Sequence, residues 1–241
     1  KTQTGEEIQA DITWDVTDLD INKTGTYTVT YKVSDNKNET VVKRTVYVVS
    51  DSNTKGVIYL TFDDGYSRKN TIEILDILKE YNVPATFFLE GGFVKDNRDV
   101  VKRISDEQIV GNHTMLHKNI TKYTNEEFIK DIDEFEALYK NITGKDLTKY
   151  FRPPMGFINS EKRKILYDRG YTIFMWNCKI YDYVHNDDLG KKYVIDTLLP
   201  QVKSGSIILL HTLTDSVPEA LGDIINSLKD KYQFSSLEEL V

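Results

Sequence analysis

Val57-Ile-Tyr-Leu-Thr-Phe-Asp-Asp-Gly65 decides the fold of this chain. Six apolar or β-forming residues make a strand buried on both faces, and it ends on two carboxylates and a glycine. The same grammar recurs downstream. A helix is expected over 69–81, with Ile72, Leu75, Ile77 and Leu78 as its apolar stripe, and Pro84 introduces a strand over 85–89. A helix over 94–107 precedes Ile109-Val-Gly-Asn-His113. Thr124 and Glu127 form a capping box that opens a long amphipathic helix. Ser160 caps a helix ending at Arg169-Gly170; a strand over 171–176, a helix from Leu189, a strand over 206–210 and a helix over 218–231 complete the series. Strands alternating with helices imply an α/β fold with a mostly parallel sheet covered by helices, either a barrel or an open doubly wound sheet. In both, chemistry sits at the carboxyl ends of the strands. Asp63, Asp64, His113, Asp182 and His211 each follow an apolar strand-like run.

Upstream the grammar changes. Thr26-Tyr-Thr-Val-Thr-Tyr-Lys-Val33 and Val41-Val-Lys-Arg-Thr-Val-Tyr-Val-Val49 alternate polar and apolar residues, and the polar cluster Ser34-Asp-Asn-Lys-Asn-Glu39 between them predicts a hairpin. The first 50 residues hold no His and no Cys, so they offer neither metal site nor nucleophile. The pattern Gly-x-Tyr-x-Val-x-Tyr-x-Val from Gly25 resembles the small immunoglobulin-like modules of bacterial surface proteins. Three segments result: a small all-β module over 1–50, a polar linker over 51–55, and a large α/β domain over 56–241.

The chain has 241 residues, 39% hydrophobic and 29% charged, with a formal charge of -7. That is a globular composition, and the acidic balance excludes a nucleic-acid surface built on clustered Lys and Arg. One cysteine, Cys178, allows no internal disulfide and reads as a buried strand residue. The longest apolar run, Ser206-Ile-Ile-Leu-Leu210, is strand-sized, so no transmembrane segment is expected. The chain begins Lys1-Thr-Gln-Thr without Met. Removal of an upstream signal or anchor is therefore expected, placing the protein outside the cell or in its envelope as a monomer.

Asp63-Asp64-Gly65 alone is an ordinary turn. In a desolvated site, however, two adjacent carboxylates need a cation nearby. His113-Thr-Met-Leu-His117 puts two imidazoles four residues apart, on one face if the segment coils into a helical turn. Together with one aspartate they make an economical His₂Asp metal site, and three protein ligands with open positions are the architecture of a catalytic metal. The second aspartate is then free to act as a base. His211 reads either as a core histidine bonded to a carbonyl or, at a strand end, as an acid for a leaving amine.

Thr61-Phe-Asp-Asp-Gly65, His113-Thr-x-x-His117, Arg152-Pro-Pro-Met-Gly156 and Leu209-Leu-His211 resemble, in order, the motifs of the family 4 carbohydrate esterases, the polysaccharide deacetylases with the NodB homology domain. The resemblance runs from about Lys55 to the C-terminus. It implies a distorted (β/α) barrel and a hydrolase that removes N-acetyl groups from a glycan. It implies one divalent ion, zinc first and cobalt as an alternative, held by Asp64, His113 and His117. Asp63 would be the base, with Arg152 paired to it. The Met155 N–H would hold the oxyanion, Leu209 would line the acetyl pocket, and His211, oriented by Asp182, would be the acid. In Trp176-Asn-Cys-Lys-Ile-Tyr-Asp-Tyr183, Tyr183 replaces the usual Trp at the substrate pocket, and Lys179 stands where many members carry an Asp. His185 is given no role.

Asp63-Asp-Gly-Tyr66, Gly111-Asn-His113, Ser160-Glu161 and Glu219-Ala-Leu resemble the subgroup of muramic-acid de-N-acetylases that prepare muramic-δ-lactam in spore cortex peptidoglycan. Those proteins carry an Arg at the position of Met155. Met155 departs from that pattern, and on the four matching stretches peptidoglycan N-acetylmuramic acid is the first substrate expected, with peptidoglycan N-acetylglucosamine or chitooligosaccharide second. An O-acetyl xylan esterase and a non-catalytic glycan-binding surface protein are the rivals.

Overall fold

The computed structural model describes residues 11–20, 25–34, 39–48, 55–183 and 189–241. The chain divides into two compact units, Lys1–Thr54 and Lys55–Val241. In the first, β1 (Asp11–Asp15), β2 (Gly25–Ser34) and β3 (Glu39–Val48) form an antiparallel sheet in the order β1-β2-β3. β2 and β3 make the expected hairpin, with Thr30 opposite Lys43; its turn, 35–38, lies outside the described residues. Val29 is buried while Thr28 and Lys32 on the other face are exposed, as alternation requires. β1 was not expected: Asp-Ile-Thr-Trp-Asp is too short and too acidic at its ends to announce a strand.

The second unit runs β4 (Gly56–Asp64), α1 (Arg68–Tyr81), β5 (Ala85–Leu89), α2 (Gly91–Asp96), α3 (Arg98–Glu107), β6 (Ile109–Asn112), α4 (Asn125–Thr143) and β7 (Tyr150–Phe151). It continues α5 (Ser160–Asp168), β8 (Thr172–Ile173), β9 (Cys178–Lys179), α6 (Gly190–Leu198), β10 (Ile207–His211), α7 (Ser216–Leu228) and β11 (Tyr232–Phe234). The strands pair in parallel in the order β8-β7-β6-β5-β4-β10-β9, and β11 pairs with the start of β4. β8 and β9 are the two ends of this sheet, yet only residues 174–177 separate them. Five residue steps span at most ~18 Å, so the sheet must curl until its edges nearly meet. The result is the distorted barrel. Phe174 N–H donates to Phe151 O and Asn177 N–H to Ile207 O, which carries the chain from one edge to the other.

Strand parity sorts the two faces. Ile58, Leu60 and Phe62 of β4 pack outward with Phe87, Ile208 and Leu210 and with Ile74, Leu75 and Leu78 of α1. Phe62 and Phe87 stack at 5.0 Å between ring centroids. The alternate residues point inward, where Tyr59, Phe88, Tyr150 and Phe174 cluster. Thr61 and Asp63 share that parity, and Leu209 and His211 are their register partners on β10. Among the described residues no helix is long and apolar enough to cross a membrane.

Some elements differ from expectation. The helix over 94–107 is two helices, broken at Asn97 (φ -124°, ψ 49°). Asn159, not Ser160, caps α5, its side chain accepting from the Lys162 N–H. The strand over 171–176 pairs as β8 for two residues only, because the chain then leaves that edge. The capping box of α4 is complete: Thr124 Oγ1 accepts from the Glu127 N–H, and Glu127 accepts from the Thr124 N–H. Thr124→Ala should destabilise the protein by about 1 kcal/mol, read from the urea unfolding midpoint. An unchanged midpoint would show that the cap contributes nothing to the folded state.

Candidate active site

Arg152 follows β7 and is the largest fully buried side chain, with 0% exposure. Nη1 donates to Asp63 Oδ1 at 2.7 Å and to Thr61 Oγ1 at 2.7 Å, while Nε donates to Phe174 O at 3.2 Å. The guanidinium lies 4.2 Å from the Phe88 ring centroid. A charge removed from water this far needs an ionised partner, and Asp63, 3% exposed, is that partner.

Asp64 ends β4 at φ 71°, a left-handed conformation that takes its carboxylate out of the strand's parity. Its Oδ1 lies 3.2 Å from His113 Nε2 and 3.3 Å from His117 Nε2. The two histidines do not converge through a helical turn. The segment between them is irregular, with Thr114 at φ 71° and His117 at φ 49°. Three backbone N–H groups hold it: that of Thr114 donates to Asn112 Oδ1, that of His117 to Thr114 Oγ1, and that of Met115 to both oxygens of Asp131. Burial pushes the Asp131 carboxyl up to about 6.

These donors fit a divalent cation. His113 Nδ1 donates to the Arg152 carbonyl at 2.7 Å, since a carbonyl only accepts. In the neutral imidazole, Nε2 then turns a lone pair toward Asp64 Oδ1, acceptor against acceptor. Asp64 Oδ1 is buried without a hydrogen-bond partner. One donor atom from each of Asp64, His113 and His117 lies within 4.8 Å of the others. A buried anionic oxygen left orphaned among imidazole nitrogens is the environment a metal ion satisfies.

On the opposite wall His211 ends β10. Asp182 Oδ2 accepts from the His211 N–H at 2.6 Å, and Oδ1 accepts from Nδ1 at 2.7 Å. Burial pulls this imidazole down, but the hydrogen bond and charge of Asp182 outweigh it and lift it above the ordinary histidine value. Nε2 is 3.8 Å from Asp64 Oδ2. The Tyr183 ring packs edge-on against His211 at 5.4 Å.

A cavity of about 250 Å³ joins these groups. Asp63, Asp64, His113, His117, Met155, Tyr183, Leu209 and His211 line it, with Arg152 behind Asp63 and Asp182 behind His211. Met155 sits at φ 57° in the turn after Arg152. Cys178 is buried on β9, and burial pushes its thiol up to about 11, so it is no thiolate at neutral pH. His185 lies outside the described residues.

Four contributors were not assigned roles from the sequence. Tyr66 lines the cavity, and burial and the Asp64 charge raise its hydroxyl; its signal was position, directly after Asp-Asp-Gly. Trp176 is part of the wall. Thr61 donates to Ile208 O and accepts from Arg152, tying β4 to β10 beneath the site. Asp131 could have been found as the acid inside the apolar stripe of α4, beside Phe128, Ile132 and Phe135.

The polysaccharide deacetylase family model matches residues 50–174, and the bacterial surface protein Ig-like domain matches residues 1–48. The peptidoglycan-N-acetylmuramic acid deacetylase PdaA of Bacillus subtilis is 38% identical over 207 residues, 85% of this chain and 78% of that protein. A peptidoglycan-N-acetylglucosamine deacetylase of Bacillus cereus is 34% identical over 192 residues, 76% of this chain and 70% of the other. The solved structure of Bacillus subtilis PdaA, a family 4 carbohydrate esterase, superposes with a TM-score of 0.74, covering 79% of this chain and 84% of that one. A family 4 pseudoenzyme from Bacillus anthracis, 26% identical, superposes with a TM-score of 0.72 over 89% of this chain and 83% of its own. With its family model across half the sequence, and relatives above 30% identical along most of both chains, this chain belongs to the polysaccharide deacetylase family of carbohydrate esterases.

Proposed function

We propose that this protein is a metal-dependent de-N-acetylase of cell-wall peptidoglycan, acting outside the cell, with the N-acetylmuramic acid residue as its sugar. The observation that carries the reading is the orphaned Asp64 Oδ1 between His113 and His117, flanked by a base tied to Arg152 and an acid tied to Asp182. Zinc held by Asp64, His113 and His117 would supply Lewis acidity toward the acetyl carbonyl and the attacking water.

The chain's own groups do the rest. Asp63 keeps one oxygen on Arg152, which aims the carboxylate, and the other oxygen takes the proton from water. Leu209, buried on the cavity floor, receives the acetyl methyl group. The Met155 N–H, in the turn after Arg152, helps hold the oxyanion. His211, protonated and fixed through Nδ1 by Asp182, gives its Nε2 proton to the sugar nitrogen. The C–N bond then breaks to give acetate and a free amine. An amine is a poor leaving group unless protonated, so an acid held this way supports amide over ester hydrolysis. The reading with N-acetylglucosamine as target has its own support in the Bacillus cereus relatives. The pseudoenzyme shows that this fold also exists without activity, so the retained Asp63 and His211 are what favour an enzyme here.

Purified protein should release acetate from peptidoglycan faster than from chitooligosaccharide, and hardly at all from acetylxylan. Chelation should abolish the reaction, and Zn²⁺ or Co²⁺ should restore it. Release from acetylxylan alone would make the protein an esterase, and full activity without metal would remove the proposed centre.

The two aspartates should separate by experiment. Asp64→Ala should lose the metal, measured by elemental analysis after gel filtration. Asp63→Asn should retain it while turnover falls ~10²–10⁴-fold. The opposite pattern would exchange their roles.

A further inference from the structure

Among the charged groups that line the cavity, Asp63 is met by Arg152, Asp64 by the two histidines, and His211 by Asp182. Lys179 lines the same cavity and, among the described residues, has no acidic side chain at ion-pair distance. Its position is set by the sheet. It stands in register with Leu209 on the neighbouring strand, and Leu209 with Thr61, so all three side chains leave the sheet on its inner face. The ammonium rests between two aromatic rings, 5.9 Å from the Trp176 centroid and 5.3 Å from that of Tyr181. These rings hold the cation at the wall without neutralising it. The residue is half-buried, and among the described residues no carboxylate pairs with its ammonium.

We infer that the missing counter-charge belongs to the substrate, and that Lys179 is a specificity-determining residue pairing with a carboxylate on the sugar being deacetylated. The inference rests on the de-N-acetylase reading and deepens it. Lys179 is one strand, ~4.8 Å, from the residue that receives the acetyl methyl group. Because Lys179 and Leu209 line one cavity, a carboxylate carried close to the acetamide, as on the lactyl ether of a muramic acid residue, is the group that would meet the ammonium. A neutral N-acetylglucosamine residue has nothing to offer at that point.

The test compares wild type, Lys179→Gln and Lys179→Arg on two substrates: glycan strands freed of stem peptides, whose lactyl carboxylates are ionised, and chitooligosaccharide of matched length. For Lys179→Gln, KM on the carboxylate-bearing strands should rise ~10–100-fold, at least tenfold more than on chitooligosaccharide, with kcat the smaller change. Lys179→Arg should recover most of the loss. Added NaCl should raise the wild-type KM for the charged strands, and that sensitivity should disappear in Lys179→Gln. Equal losses on both substrates would mark a structural role, and no loss on either would mark a solvated rim lysine; each refutes the inference while the de-N-acetylase reading stands. Wild type that releases acetate from neither substrate would overturn both.

Discussion

The buried guanidinium of Arg152 is the constraint on which the site depends. It cannot reach water, so its donors must be satisfied inside the barrel. They are spent on Asp63 and Thr61 of β4 and on the carbonyl of Phe174, in the segment that crosses from one sheet edge to the other. Its own carbonyl accepts from His113, which fixes that ring's tautomer. One side chain thus couples the proposed base, the orientation of a proposed metal ligand and the closure of the curled sheet. Removing one partner of such a buried pair leaves an uncompensated charge, costing about 3–5 kcal/mol. Arg152 and Asp63 are therefore bound to each other by folding as much as by chemistry.

Around that constraint, backbone geometry aims the remaining groups. Strand parity brings Asp63 beside His211 and Thr61 beside Leu209. Left-handed residues then break parity where a side chain must turn: Asp64 at the end of β4, Thr114 and His117 in the irregular segment, Met155 after Arg152. None of these is glycine, so each carries a local conformational cost that the surrounding hydrogen bonds sustain. Gathering non-glycine left-handed residues around one cavity is how a sheet of regular strands comes to present converging donors.

Much of this was legible in the sequence, for identifiable reasons. The strand at 57–64, its helix and the capping box at Thr124 are local signals, and local rules decide them. That polar residues end apolar runs was enough to place Asp63, Asp64, His113 and His211 at strand ends. Long-range facts were not legible. The histidine pair at 113 and 117 suggested a helical turn, whereas an irregular segment bonded to Asp131, 16 residues away from Met115, brings them together. The short strands β8, β9 and β11 carry two or three residues each, too few for any period to show. The pairing of Lys179 with Leu209, which puts a cation inside the cavity, likewise exists only in the folded sheet.

Locating the metal tests the account most directly. Crystals of the zinc-loaded protein, with diffraction recorded on both sides of the zinc absorption edge, would fix the ion by its anomalous signal. One ion should appear about 2.0–2.2 Å from Asp64 Oδ1, His113 Nε2 and His117 Nε2, with Asp63 still bonded to Arg152. An ion ligated by Asp63 in place of Asp64, or no bound ion in a preparation that still deacetylates, would contradict it.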